Sequence, residues 1–278
     1  MRLVDSHGHL NADRFDADVD LVIGGARLAG VERILVPGWN HRSSERALEL
    51  IARRPFLDAA VGVHPHDAAK VTPPEWADIE AWARDDRVVA IGETGLDSDR
   101  MFSPWEAQLD NLRVNLALAL ATGKPAILHC RSKAGERDAQ DTLVRELREA
   151  GFDGGPALRA FGGRPPAVIH SFSGPVDYAE EVVAMGLAVS FSGLVFRRGE
   201  EPSAEAVALV PGERLLVETD SPFLSPPGAP RSRNQPEFVA ITARWAAERR
   251  RVGEDGLDDF GDALVAAYDA TFARSLPR

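Results

Sequence analysis

The chain has 278 residues, 44% apolar and 27% charged, and its 32 Lys plus Arg against 43 Asp plus Glu give a formal charge of −11. This is a globular profile with a sizeable core, which excludes a disordered or collagen-like chain and a protein that coats nucleic acid by net charge alone. A single cysteine, Cys130, excludes an internal disulfide and a multi-thiolate zinc site.

Short β-rich runs recur along the chain at Arg2–Asp5, Arg33–Pro37, Asp58–Val63, Val88–Glu93, Ala126–His129, Ala167–His170, Leu187–Ser190 and Leu215–Thr219. Segments of helical periodicity separate most of them. After Asp99, Ser103-Pro104-Trp105-Glu106 reads as an N-cap, a first-turn proline and a capping-box glutamate, followed by a stripe of Trp105, Leu109, Leu112, Leu116 and Leu120. Gly151–Pro166 holds five glycines and three prolines and is expected to be a surface insertion on the face away from the active site. Asn234-Gln235-Pro236-Glu237 opens a helix with Phe238, Ile241 and Trp245 on its apolar face, and Leu257–Leu276 reads as a last packing helix. Eight buried strands alternating with helices predict an α/β fold, a single (β/α)8 TIM barrel over residues 1–278 with an insertion at 151–166. A doubly wound open sheet is the rival. No apolar run approaches the ~20 residues of a membrane helix, and the N-terminus lacks the pattern of a secretory signal. A cytoplasmic protein is expected, a monomer by default.

The histidines carry the functional signal. Of seven, His7, His9, His64, His66, His129 and His170 stand at or just beyond the carboxyl end of a predicted strand, as do Glu93 and Asp220. A parallel barrel gathers those ends at one mouth. A lone histidine there is more readily a core or turn residue; the convergence reads as a metal site. His7 and His9 are expected to project to the same side, Asp220 adds an oxygen to that ion, and Glu93 bridges to a second ion held by His129 and His170. Nitrogen and oxygen donors without thiolate suit Zn²⁺, Mn²⁺ or Mg²⁺. Lys70, Lys124 and Lys133 do not end strands, which excludes a carboxylated-lysine bridge. No nucleophile elbow or Walker loop occurs, and Cys130 is read as packing.

With these residues in hand, the chain resembles the TatD family of metal-dependent hydrolases, whose members are described as deoxyribonucleases. The resemblance runs through Asp5-Ser6-His7-Gly8-His9-Leu10, Gly62-Val63-His64-Pro65-His66, Gly92-Glu93-Thr94-Gly95-Leu96-Asp97, Lys124-Pro125-Ala126-Ile127-Leu128-His129-Cys130-Arg131 and His170-Ser171-Phe172-Ser173-Gly174. It continues in Leu215-Leu216-Val217-Glu218-Thr219-Asp220-Ser221-Pro222 and Arg233-Asn234-Gln235-Pro236. It implies the same metal ligands, His7, His9, Glu93, His129, His170 and Asp220, with two divalent cations, and places His64 and Arg131 against the substrate phosphate. Ser98-Asp99-Arg100 stand where the family often has aromatic residues, the stretch between His129 and His170 is long, and Ala267–Arg278 lacks the usual closing sequence.

The expected activity is two-metal hydrolysis of phosphodiesters in DNA, with RNA also open. Asp220, Glu93 and His64 are the expected catalytic groups, Asp220 orienting or deprotonating the water, and His64, Arg131 and Arg233 are expected to bind substrate. The low net charge favours ends or single strands over long duplex, and the expected mode is exonucleolytic, 3′–5′. The rivals are a hydrolase of the same fold acting on an ester or amide such as aminoacyl-tRNA, and a catalytically inactive metal-binding regulatory protein. His66 ranks below His64, and His41 reads as a surface residue. Arg197, Arg198 and Arg231 are as readily solvated loop charges as phosphate ligands.

Overall fold

The computed structural model describes residues 1–273. Eight strands, β1 (Leu3–Asp5), β2 (Val31–Pro37), β3 (Leu57–Val61), β4 (Val88–Asp97), β5 (Ala126–Arg131), β6 (Ala167–Ile169), β7 (Ala188–Phe191) and β8 (Leu215–Val217), form one sheet in chain order. Every neighbouring pair is parallel. The sheet closes on itself at β8 and β1, where the Ser6 amide donates to the Val217 carbonyl (3.1 Å), His9 to Ser221 (2.7 Å) and Asp220 to His7 (2.8 Å). The fold is the (β/α)8 barrel, and closure disposes of the open-sheet rival.

Parallel strands joined by helices must bury both faces, and the pattern of burial shows how. Val4, Leu35, Ala60, Ala90, Ile127, Val168, Ala188 and Leu216, one from each strand, pack together with Tyr268 and Phe272 as a cluster distinct from the layer beneath the helices. These are the barrel's interior filling. Because side chains alternate along a strand, the interior face continues two residues on to His129, His170 and Glu218, at the carboxyl end. The helices are α1 (Val19–Leu28), α2 (His41–Ala52), α3 (Pro73–Trp82), α4 (Trp105–Thr122), α5 (Asp138–Glu149), α6 (Gly155–Phe161), α7 (Val176–Ala184), α8 (Glu201–Ala206), α9 (Val239–Arg249) and α10 (Leu257–Thr271). Tyr268 of α10 and Phe272 just past its end pack against the interior cluster, and the Tyr268 hydroxyl donates to Asp58 (2.8 Å). Asp58 also pairs with Arg33.

Several local expectations change. β4 continues past the expected end at Glu93 to Asp97 as an irregular, still paired strand, with register shifting between Ile91 and Thr94. Gly95, at φ +136°, lies so close to β5 that a Cβ would stand 1.9 Å from the His129 carbonyl oxygen. Ser103 does not cap α4: its hydroxyl donates to the His66 carbonyl (3.1 Å) and accepts from the Ala69 amide (3.1 Å), tying the loop after β3 in place. Gly151–Pro166 is not a bare surface loop, since it contains α6 and sinks Phe152 and Phe161 into the core. The helix expected from Asn234 begins as a short 3-10 turn, Pro236–Phe238, and buries Val239, Ala243 and Trp245 while Phe238 and Ile241 stay half-exposed. The expected last helix stops at Thr271, and positions 274–276 of that expectation lie outside the described residues.

Candidate metal centre

The strand ends and the turns after them deliver six of the seven histidines and two carboxylates to one mouth. His7 and His9 follow β1, His64 and His66 follow β3, Glu93 lies within β4, His129 within β5, His170 just beyond β6, and Asp220 in the turn after β8. The mouth is a cavity of about 460 Å³ whose lining includes His9, Trp39, His64, Glu93, His129, Arg131, His170 and Asp220.

Glu93 is the hub. Its Oε2 lies 3.2 Å from Nε2 of His7 and 3.7 Å from Nε2 of His9. Its Oε1 lies 2.8 Å from Nε2 of His170, 3.2 Å from Nε2 of His64 and 3.3 Å from Nδ1 of His129. Nε2 of His9 is in turn 3.3 Å from Oδ1 of Asp220. One carboxylate thus faces a separate group of nitrogens with each oxygen.

The outer partners decide which ring nitrogens are available. Nδ1 of His170 meets Glu218 Oε1 at 3.2 Å, and Nε2 of His129 meets Asp97 Oδ2 at 3.4 Å. Carboxylates on those nitrogens draw the N–H to themselves, so Nε2 of His170 and Nδ1 of His129, which face Glu93, are the nitrogens that would give up a proton and offer a lone pair to a cation. His64 is arranged the other way. Its Nδ1 accepts from the His66 amide (3.1 Å), so in the neutral ring Nε2 carries the proton and His64 is a donor into the mouth.

Burial and neighbouring charge set the protonation pattern. Burial pulls His64 down to about 4 and lowers His7 as well, so both rings are neutral at pH 7. Burial pushes the Glu93 carboxyl up, but the His170, His64 and His7 rings outweigh it and hold the group well below the usual carboxylate range. For His170, desolvation is outweighed by Glu93 and Glu218, which raise it well above the ordinary imidazole value. Asp220 is lowered because the His9 hydrogen bond and charge overcome desolvation.

The donor set fits divalent cations. Nε2 of His7 and His9 face each other at 3.2 Å. Nε2 of His170 sits 2.8 Å from a carboxylate oxygen without forming a hydrogen bond to it. Buried nitrogens crowded against one another and against carboxylate oxygens in this way are costly in a protein interior and are what a cation satisfies. Donor atoms of His7, His9 and Asp220 lie within 4.8 Å of one another, as do those of His7, Glu93 and His170.

Not every expected residue reaches the mouth as foreseen. Arg233 does not: its guanidinium forms a two-pronged pair with Asp18 (2.7 and 2.8 Å) and lies 5.0 Å from the Phe15 ring, so it fastens the β8 loop to the turn after β1. Arg131 does line the mouth and is paired with Asp99 (2.9 Å) in a partly exposed contact. His66 bonds Asp97 at 2.7 Å. His41 is not simply a surface residue, since it joins α2 to α3 through Asp78 (2.9 Å) and Trp82. The Cys130 thiol is pushed up to about 12 by burial, consistent with packing rather than nucleophilic chemistry.

Sequence reasoning passes over Asp97, Glu218, Gln108 and Asp5. Gln108 of α4 accepts from the Asp97 amide (2.8 Å) and donates to the Asp97 carbonyl (3.1 Å), setting the end of β4. Asp5 accepts from Thr219 Oγ1 (2.6 Å), the Thr219 amide (2.9 Å) and the His7 amide (3.2 Å), fixing the two turns that carry His7 and Asp220. For Asp5, Asp97 and Glu218 the available signal was their place inside strand-end motifs; Gln108, in α4, carried none. An aromatic also reappears after Asp97, because Phe102 is exposed with its ring 4.7 Å from His66.

A closed parallel barrel with this cluster at its carboxyl mouth has the architecture of a metal-dependent hydrolase. Residues 4–265 match the family described as TatD related DNase, and the chain belongs to that family. It is 37% identical over 250 residues to the metal-dependent hydrolase YabD of Bacillus subtilis, covering 90% of this chain and 92% of that one. It is 36% identical over 256 residues to the 3′-5′ ssDNA/RNA exonuclease TatD of Edwardsiella piscicida, again covering 90% and 92%. The crystal structure of YJJV, a TatD homolog from Escherichia coli, superposes with a TM-score of 0.83 at 28% identity, covering 99% of each chain.

Proposed function

We propose that this chain is a 3′–5′ exonuclease of single-stranded DNA, and of RNA, that uses two divalent cations. The observation that carries the reading is the division of donors around Glu93, with His7 and His9 toward one oxygen, Asp220 beside His9, and His64, His129 and His170 toward the other. The first three, with Glu93 as bridge, would hold one ion, and Glu93, His129 and His170 the second. Nitrogen-rich donor sets favour Zn²⁺ or Mn²⁺ over Mg²⁺. When bound, such a pair polarises the phosphoryl oxygens, lowers the pKa of water and steadies the leaving oxygen.

The side chains supply the rest. Asp220, kept ionised by His9, orients the attacking water and accepts its proton at Oδ1. Neutral His64 donates from Nε2 to a phosphoryl or leaving oxygen. Arg131 exchanges its exposed Asp99 partner for a non-bridging phosphate oxygen, an exchange that weakens little because exposed ion pairs hold weakly. Glu218 and Asp97 hold the His170 and His129 rings in orientation. The activity of relatives, including the 3′-5′ ssDNA/RNA exonuclease TatD of Edwardsiella piscicida, supports the choice of polynucleotide and polarity.

The test is digestion of single- and double-stranded oligonucleotides labelled at either end by metal-stripped protein reconstituted with Zn²⁺, Mn²⁺ or Mg²⁺. Stepwise loss from the 3′ end of single strands is expected, with turnover lowered about 10³-fold in Glu93→Ala, the scale of losing one electrostatic group at a reacting centre. Wild-type turnover in Glu93→Ala, or hydrolysis of aminoacyl-tRNA but not of oligonucleotides, would overturn the reading.

A further inference from the structure

Beyond Phe223 lies a second cavity of about 890 Å³, which shares Arg100, Phe223 and Leu224 with the mouth. Its charged lining is Arg14, Arg100, Arg197 and Arg231, and no aspartate or glutamate among the described residues lines it. This stands out in a chain of formal charge −11, where nearby Arg131, Arg137 and Arg233 are each paired with an aspartate. The four groove arginines form no ion pair among the described residues.

The groove is built rather than left between slack loops. Arg14 donates to the carbonyls of Pro222 and Ser232, and Arg233 holds the same β8 loop to Asp18. Gly193, after β7, packs on the Leu224 backbone so tightly that a Cβ there would meet the Leu224 carbonyl oxygen at 1.8 Å. Guanidinium groups gathered without counter-charges repel one another, and each offers a planar fork that matches phosphate oxygens. Phe223 separates groove from mouth and is 52% exposed, with its ring 6.0 Å from that of His9. An exposed aromatic face beside a basic groove is the arrangement that grips a single strand: phosphates on the arginines, a base on the ring.

We propose that this groove is the track for the backbone of a single-stranded polynucleotide whose scissile phosphate lies at the metal mouth. Its phosphates pair with Arg14, Arg100, Arg197 and Arg231, and Phe223 stacks a base at the step between the two cavities. The inference rests on the phosphodiesterase reading of the metal centre and adds where the uncleaved strand lies. It also accounts for strand binding by an acidic protein, since the attraction is local.

The test compares the full-length, Mn²⁺-loaded wild type with the Arg197→Ala/Arg231→Ala variant on a dinucleotide and a single-stranded 12-mer, each over a range of salt. In the wild type the 12-mer has the lower KM. In the variant, 12-mer KM rises about 10-fold, the 12-mer advantage shrinks, and the slope of log KM on log salt becomes shallower by about 1.4, from ~0.7 per lost phosphate contact on a single strand. The Arg197→Lys/Arg231→Lys variant, which keeps the charges, recovers most of that slope, and thermal melting reports whether each variant is folded. A folded alanine variant with wild-type KM and salt slope for the 12-mer overturns the track, as does equal KM for dinucleotide and 12-mer in the wild type. In both cases the phosphodiesterase reading survives. Cleavage of neither substrate by the wild type overturns both.

Discussion

Nδ1 of His170 lies 3.2 Å from Oε1 of Glu218, inside the barrel, joining residues 48 apart in sequence. Glu218 is fully buried and its second oxygen has no hydrogen-bond partner, so its clearest contact is this imidazole. The pair leaves Nε2 of His170 as the nitrogen facing Glu93, and replacing the carboxylate weakens the preference for that tautomer. In Glu218→Gln, affinity for the second cation is expected to fall about 10–100-fold, the usual scale for an outer partner of a ligating histidine. Calorimetric titration of the stripped protein with Mn²⁺ measures this; an unaltered binding isotherm in the folded variant rules the role out.

Removal of metal has a thermodynamic consequence. A cation that binds only the folded chain, at 100 times its Kd, adds about 2.7 kcal/mol of stability. For a domain of this size that corresponds to roughly 5 °C in Tm. Chelation followed by dialysis is expected to lower Tm by that amount per site lost, and restored Mn²⁺ to recover it. A Tm indifferent to chelation and reconstitution would contradict a buried cation pair.

The Gly95 approach to β5 supplies a test of the strand that presents Glu93 and Asp97. Gly95→Ala combines φ +136° with a Cβ contact of 1.9 Å to the His129 carbonyl and is expected to cost about 3 kcal/mol or more. Gly163→Ala, at φ +86° with nothing within 4 Å of the added carbon, meets only the backbone penalty of ~1 kcal/mol. Urea unfolding of the two variants should separate them clearly, with Gly95→Ala also losing metal affinity. Equal midpoints would contradict the close packing of β4 on β5.

At the opposite end, Tyr268→Phe removes the phenol that donates to Asp58 at 2.8 Å. The expected loss is about 1–2 kcal/mol for an altered buried hydrogen bond to a charged group, read as a lower urea midpoint. kcat/KM should stay within about twofold, since the change is at the end of the barrel away from the mouth. A larger fall in kcat/KM than in stability would show coupling between the two ends.

The barrel was legible because its strands are short β-branched or apolar runs at regular intervals, and the metal donors because polar residues ending such runs are out of keeping with a core. β4 past Glu93 was not legible, because Thr94-Gly95-Leu96-Asp97 carries no run of β-forming residues; only its pairing with β5 makes the segment a strand. Glu218 and Asp97 sat within recognised motifs, yet their task depends on which ring nitrogen they face, a matter of distances between residues 48 and 32 positions apart. Arg233 misled for the same reason: a loop arginine near the mouth looks available until Asp18 is seen against it. The groove arginines come from four separate loops, and no spacing along the chain announces that they share a wall.

The seam between β8 and β1 ties Ser6 to Val217, and the interior is completed by Tyr268 and Phe272. During synthesis the first strand therefore waits for its neighbour until most of the message has been translated, with one backbone edge unpaired and the inner apolar layer uncovered. A nascent chain halted before α10 emerges from the ribosome would present that layer to the cell, which makes such stalled products clients for chaperones or proteases rather than smaller working barrels.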